Sequence, residues 1–245
     1  MKKNYIVTGA NSGIGLATCE KLLEKGNSVL GICRDISKAD RLIKKFGNGS
    51  LKMVPFDLTD LEHIEFQINN FTIAHGKLDG LVHCAGIEET IPLTIYSSEK
   101  VEKIFKINVF TTIELLRIFS KKKYSNDNSS AVIFSSVMGV LGQVGKVGYC
   151  ATKAALLGVV KASALELSKR KIRVNAILPG VVNTPMTQRL FSQIEQNNID
   201  SIIGMHPLGI GEVADIVPLV EYLLSDVSRW MTGQSLIIDG GYSIQ

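Results

Sequence analysis

The chain lacks a run of about eighteen apolar residues, so nothing in its sequence is suited to span a bilayer. The opening Met1-Lys2-Lys3 is followed by an apolar stretch that meets Gly9 at once, too short for a signal peptide. Its four cysteines, Cys19, Cys33, Cys84 and Cys150, make no CxxC pair and no metal-ligand cluster with the four histidines. That usage fits a reducing cytoplasm and gives no metal site. No arginine-rich arm or aromatic-interleaved basic stripe is present, which argues against nucleic acid as a partner. The net charge of +4 is modest. The dense basic patches are Lys121, Lys122 and Lys123, and Lys169, Lys171 with Arg170 and Arg173. Both lie near expected helix ends, where cations suit the macrodipole. They read as solvated faces before they read as docking sites for an acidic partner.

What is present is apolar content and a regular alternation. With 245 residues, 45% of them hydrophobic, the chain can bury the core of one large α/β domain over residues 1–245. Strand-like runs fall at 5–8, 28–32, 51–56, 78–83, 131–136, 172–177 and 235–239. Helical patterns fall between them at 14–25, 36–45, 60–75, 98–122 and 147–168. Several strands are continuous apolar runs, as expected where both faces are covered by helices. The β-α order predicts a doubly wound, seven-stranded, mostly parallel sheet. Residues 183–212 are the least regular, with Asn183, Pro185, Gly204, Pro207, Gly209 and Gly211, and read as a mobile lid or substrate loop.

Ligands in such folds bind beyond the carboxyl ends of the strands. There the first strand runs into Thr8-Gly9-Ala10-Asn11-Ser12-Gly13-Ile14-Gly15 and then a helix. Glycines allow a tight turn and close backbone approach to a pyrophosphate, which a helix N-terminus attracts. The second strand ends in Cys33-Arg34-Asp35. An acid at that point holds the ribose 2′-hydroxyl of NAD, whereas a basic residue accommodates the phosphate of NADP. Cysteine stands where the acid is expected and Arg34 follows, so NADP(H) is preferred. Asp35, which can pair with Arg34 or bind ribose itself, keeps NAD(H) open.

Tyr149 and Lys153 stand four residues apart within a helical pattern and therefore share a face. A tyrosine is a poor acid or base at neutral pH unless nearby positive charge favours the phenolate. Lys153 with a cationic cofactor ring is expected to supply about 4 kcal/mol, a shift of about three units.

Taken together, these residues resemble the short-chain dehydrogenase/reductase family, in its subgroup of about 250 residues. The likeness runs the whole length. It rests on TGANSGIG at 8–15, Asp57, Ala85-Gly86, Asn108, Ser136, Tyr149-x-x-x-Lys153, Pro179-Gly180 with Thr184, and Gly233-Gln234 through Asp239-Gly240-Gly241. The resemblance implies that Tyr149 is the general acid in carbonyl reduction and the base in alcohol oxidation. It implies that Ser136 holds the substrate oxygen and that Lys153 lowers the tyrosine pKa and binds the nicotinamide ribose. Asn108 would hold a water in a proton relay. Cofactor contacts would come from Gly9, Asn11, Ser12, Gly13, Ile14, Gly15, Arg34, Asp57, Leu58, Ala85, Gly86, Tyr149, Lys153, Pro179, Gly180 and Thr184. A homotetramer is implied, with the two long helices packing against symmetry mates.

The neighbouring Ser135 is the competing hydroxyl; strand alternation sends it to the opposite face, and the family's thirteen-residue spacing to the tyrosine selects Ser136. The chain departs from the family at His83-Cys84, where two asparagines are usual, and at residues 207–211, which lack the usual arginine. The layout looks most like 3-oxoacyl-acyl-carrier-protein reductases, whose acidic partner needs a basic docking face. Asp127-Asn128-Ser129-Ser130 stands where a basic residue is often found, so small sugar, polyol or steroid-like substrates stay open. Intact Ser136, Tyr149 and Lys153 speak against an idle nucleotide-binding regulator.

Overall fold

The computed structural model describes residues 2–244, so Met1 and Gln245, at the ends of the expected domain, lie outside it. The apolar runs form seven strands: β1 Asn4–Thr8, β2 Ser28–Cys33, β3 Leu51–Pro55, β4 Leu78–His83, β5 Ser125–Phe134, β6 Arg173–Pro179 and β7 Ser235–Ile238. They pair in the order β3-β2-β1-β4-β5-β6-β7. Every pairing is parallel, which goes beyond the mostly parallel sheet expected.

Alternate residues of each central strand feed opposite faces of the sheet. Ile6 packs into one apolar cluster with Leu81 and Ile133, while Tyr5, Val7 and Val132 pack into the other. Helices cover both faces: α1 Gly13–Glu24, α2 Asp40–Phe46, α3 Leu61–His75, α4 Ser98–Phe105, α5 Thr111–Phe119, α6 Val147–Leu167, α7 Pro185–Phe191, α8 Gln196–Gly204 and α9 Val213–Leu224. Their shared core is why the chain is a single α/β domain.

Three expectations change. The helix foreseen over 98–122 is interrupted by a π-helical turn at Lys106–Phe110 and ends at Phe119. The stretch 183–212 holds α7 and α8; Pro185 starts α7, where its missing N–H costs nothing. The basic run at 169–173 is a solvated face only in part: Lys169 and Lys171 are exposed, but the two arginines are engaged. Arg173 is buried and donates to the Leu223 and Ser225 carbonyls, capping the end of α9. Arg170 donates to Asp127 and to the Ser120 and Ser125 carbonyls.

Candidate active site

The carboxyl edge of the sheet opens into a cleft of about 1050 Å³. All the residues expected to bind a cofactor line it, as do Ser136, Tyr149 and Lys153. Asn108 does not. It stands behind Gly86, in the π-helical turn, with Oδ1 accepting from the Ile87 N–H at 2.9 Å. Its Nδ2 donates to the Ile87 carbonyl and to Thr152 Oγ1. The side chain expected to hold a water therefore ties the turn after β4 to α6, and the Asn108 carbonyl accepts from Thr112 Oγ1.

At the nucleotide end, Gly9 has φ +66°, and a Cβ there would sit 3.0 Å from the Ala85 nitrogen. A Cβ on Gly15 would sit 2.3 Å from the Gly9 carbonyl oxygen. Only glycine permits this close approach of β1, the turn and α1. Ser12 caps α1 without a side-chain hydrogen bond, and no acidic side chain occupies the first turn. The helix thus presents unsatisfied N–H groups to the cleft, which suits the pyrophosphate of a dinucleotide. At the end of β2, Arg34 and Lys38 both line the cleft. Asp35 turns its Oδ1 to the Ser37 N–H and hydroxyl, at 2.9 and 2.7 Å, and these bonds hold its carboxyl below the usual range. Asp57 is likewise lowered, first by the Thr59 N–H.

Around the reacting end, β5 and α6 set the geometry. Ser135 donates to the Lys153 carbonyl at 2.8 Å and is structural. Ser136 instead caps a short turn after β5, its Oγ accepting from the Met138 N–H, and it stands near the Tyr149 phenol, whose ionised form it favours. Tyr149 is half-buried and lines the cleft, and desolvation pushes its phenol up to about 12 despite Ser136. Lys153 is buried, donates to the Phe134 carbonyl at 2.9 Å, and is drawn down to about 8 by desolvation. The expected lowering of the tyrosine needs Lys153 together with a cationic cofactor ring; in the protein alone, burial of the phenol dominates.

The departure at 83–84 is met on one side only: His83 Nδ1 is paired, while its buried Nε2 has no partner among the described residues. His83 Nδ1 lies 2.7 Å from Thr8 Oγ1, which also accepts from the Ala85 N–H. Burial pushes His83 down to about 3 and Cys84 well up, so both are neutral at pH 7. Next to the segment 207–211, which lacks the usual arginine, His206 stacks on Tyr242 and accepts from the Val181 N–H. Sequence reading missed His206 and Tyr242, and also the buried ion pair of Lys146 with Glu88 beside Tyr149. Among the described residues, no group of three or more His, Cys, Asp or Glu is placed to hold a metal, and no helix is long and apolar enough to cross a membrane.

Comparison with known proteins agrees with this arrangement. A family model described as enoyl-(acyl carrier protein) reductase matches residues 9–243. The chain is 34% identical to a 3-oxoacyl-[acyl-carrier-protein] reductase of Thermotoga maritima, over 99% of this chain and 98% of the relative. It is 29% identical to the human (3R)-3-hydroxyacyl-CoA dehydrogenase, over 96% and 94%. Among solved structures, a 4-hydroxyisoleucine dehydrogenase complexed with NADH superposes with a TM-score of 0.91 at 32% identity, over the whole of both chains. ElxO with NADP bound gives 0.87 at 29%, again over both whole chains. With the family's glycine turn, serine, tyrosine and lysine gathered in one cleft, the chain belongs to the short-chain dehydrogenase/reductase family, enzymes that act on CH–OH and C=O groups with NAD(P).

Proposed function

We propose that the protein is an NADP(H)-dependent oxidoreductase that interconverts a ketone and a secondary alcohol, with Tyr149 as the proton donor and acceptor. The observation that carries this reading is the meeting of Ser136, Tyr149 and Lys153 in the cleft that the glycine turn opens. The turn at 9–15, Asp57, Leu58, Ala85, Gly86, Pro179, Gly180 and Thr184 would hold the dinucleotide, and Arg34 with Lys38 would take its 2′-phosphate. When bound, the nicotinamide ring of the dinucleotide would supply or accept the hydride. Ser136 holds the carbonyl oxygen, and the neutral Tyr149 gives it a proton. Lys153 would bind the nicotinamide ribose and hold a proton beside Tyr149.

Tyr149→Phe tests this reading. Ketone-dependent NADPH oxidation should fall by about 10²- to 10⁴-fold, while NADPH binding, followed by fluorescence, stays. Full activity in the variant overturns it.

Several curated relatives are named for 3-oxoacyl thioesters on a carrier protein, and a thioester is one substrate reading for this chain. A small free substrate is the second, favoured because Arg170 and Arg173 are hydrogen-bonded within the chain, which leaves only Lys169 and Lys171 of that basic run exposed for docking. The lid is 183–212, the assembly a homotetramer, and the compartment the cytoplasm.

A further inference from the structure

One charged pair in the cleft has no part in the reaction proposed above. Lys146 directly precedes α6, three residues before Tyr149. It pairs with Glu88, and the two side chains are only 8% and 15% exposed. Lys146 Nζ also donates to Thr90 Oγ1 at 3.0 Å, and Thr90 Oγ1 donates to Glu88 Oε1 at 3.0 Å. The three side chains close a ring on the wall of the cleft. Lys146 Nζ lies 5.8 Å from the centroid of the Tyr149 ring, and both Lys146 and Glu88 line the cleft with Ser136.

Burying such a pair costs desolvation that its attraction often fails to offset, and well-packed apolar side chains do as well or better. A wall built to hold an alkyl chain gains nothing from it. An ammonium carries three donors. Among the described residues Lys146 has two acceptors, Glu88 and Thr90, so one proton is left for a ligand. The charge balance points the same way. Beside Tyr149 stand two ammonium groups, Lys146 and Lys153, against one carboxylate, Glu88. Arg189 of α7 adds a cation to the lining, and no partner for its guanidinium exists among the described residues.

We infer that Lys146, oriented by Glu88 and Thr90, binds a carboxylate of the substrate, which is a short free keto or hydroxy acid and not a thioester. The inference rests on the Tyr149-centred reaction proposed above and adds the substrate class. The acid group and the reacting carbonyl are separated by only a few bonds, because the ammonium stands so close to the Tyr149 ring. Esterification removes the charge that Lys146 reads, and a bulky thioester also fills the space of the ion-paired wall.

The test compares acetoacetate, methyl acetoacetate and acetoacetyl-CoA as oxidants of NADPH, in the wild type, Lys146→Gln and Lys146→Arg. The wild type should favour the free acid over the methyl ester by about 10- to 100-fold in kcat/KM, the range for a hydrogen bond between charged groups. Lys146→Gln should lose that preference through a raised KM for the acid, with the ester changed less than about threefold. Lys146→Arg, which keeps the charge, should retain the preference and shows that the site still folds. A wild type that reduces either ester as well as the acid overturns the inference, as does a Lys146→Gln variant that lowers all three alike. Reduction of other ketones but none of these probes also overturns it and leaves the Tyr149 reading standing. Reduction of no ketone at all is the failure of that earlier reading, and takes this one with it.

Discussion

Lys153 Nζ lies 5.6 Å from the centroid of the Tyr149 ring and reaches past it to the Phe134 carbonyl. The four-residue spacing on α6 thus brings the ammonium beside the ring, while the strand carbonyl accepts one of its hydrogen bonds. Neither group has the ionisation of its free side chain. The tyrosine is raised to about 12 and the lysine lowered to about 8.

This pair makes ligand-free stability depend on pH with a definite sign. Between about pH 8 and 10, unfolded Lys153 keeps a proton that folded Lys153 has released, so its contribution to stability rises with pH. The rise should reach about 2 kcal/mol. The raised tyrosine acts in the opposite sense, but only from about pH 10 toward 12. Urea unfolding of wild type and Lys153→Met at pH 8 and pH 10 isolates the first effect. The difference between the two proteins should shift by about that amount in favour of the wild type; a constant difference means the lysine is not desolvated as described.

Cofactor choice is the second expectation, and it turns on Arg34. Asp35 spends its Oδ1 on Ser37, so the end of β2 offers a guanidinium with Lys38 beside it. Fluorescence titration should show NADPH binding more tightly than NADH. Arg34→Ala should weaken NADPH by about 10-fold or more, the loss of a charge-assisted bond, and leave NADH within about twofold. A wild type that binds NADH more tightly would mean that Asp35 or another group reads the ribose.

Much of this site was legible because its signals are local. The glycine turn, the Tyr149–Lys153 spacing and the apolar strands are each set by neighbours in sequence, and each lies where periodicity placed it. What was not legible depends on distant partners. The polar start of β5, Ser125 to Ser130, has no strand pattern, yet it pairs with β4 across a register shift between Leu78 and Gly80. Glu88 and Lys146 are far apart in sequence, and only the packing of the segment after β4 against α6 makes them a pair. The hydrogen bond of Lys153 to the Phe134 carbonyl was not legible for a similar reason, since that carbonyl belongs to another element.

The π-helical turn yields a third expectation, concerning Asn108. Its amide satisfies both the N–H and the carbonyl of Ile87 and reaches Thr152 on α6. Asn108→Ala strips partners from two backbone groups in a partly buried turn that lines the cleft, each costing up to about 1–3 kcal/mol. The unfolding free energy should drop by about 2–5 kcal/mol, and NADPH affinity should fall with it because Ala85 and Gly86 lose their support. A variant as stable as wild type would remove the structural role and leave only a chemical one, visible as a lowered kcat at unchanged Tm.

The proposed tetramer can be tested on the helices expected to meet their symmetry mates. Ile113 on α5 is 46% exposed and Phe110, at the end of the π-helical turn, 50%, both large apolar side chains facing outward. A two-fold axis along this face would bring each against its own copy, as an isologous contact requires. Ile113→Glu would then place two carboxylates close together in an apolar seam, where neither like charge nor desolvation is tolerated. Sedimentation velocity at micromolar concentration should give a tetramer for the wild type and a smaller species for the variant, with the far-ultraviolet circular dichroism unchanged. A wild type that sediments as a monomer refutes the assembly outright; a variant that stays tetrameric leaves the assembly and moves its axis elsewhere, with the almost fully exposed Trp230 the next side chain to charge.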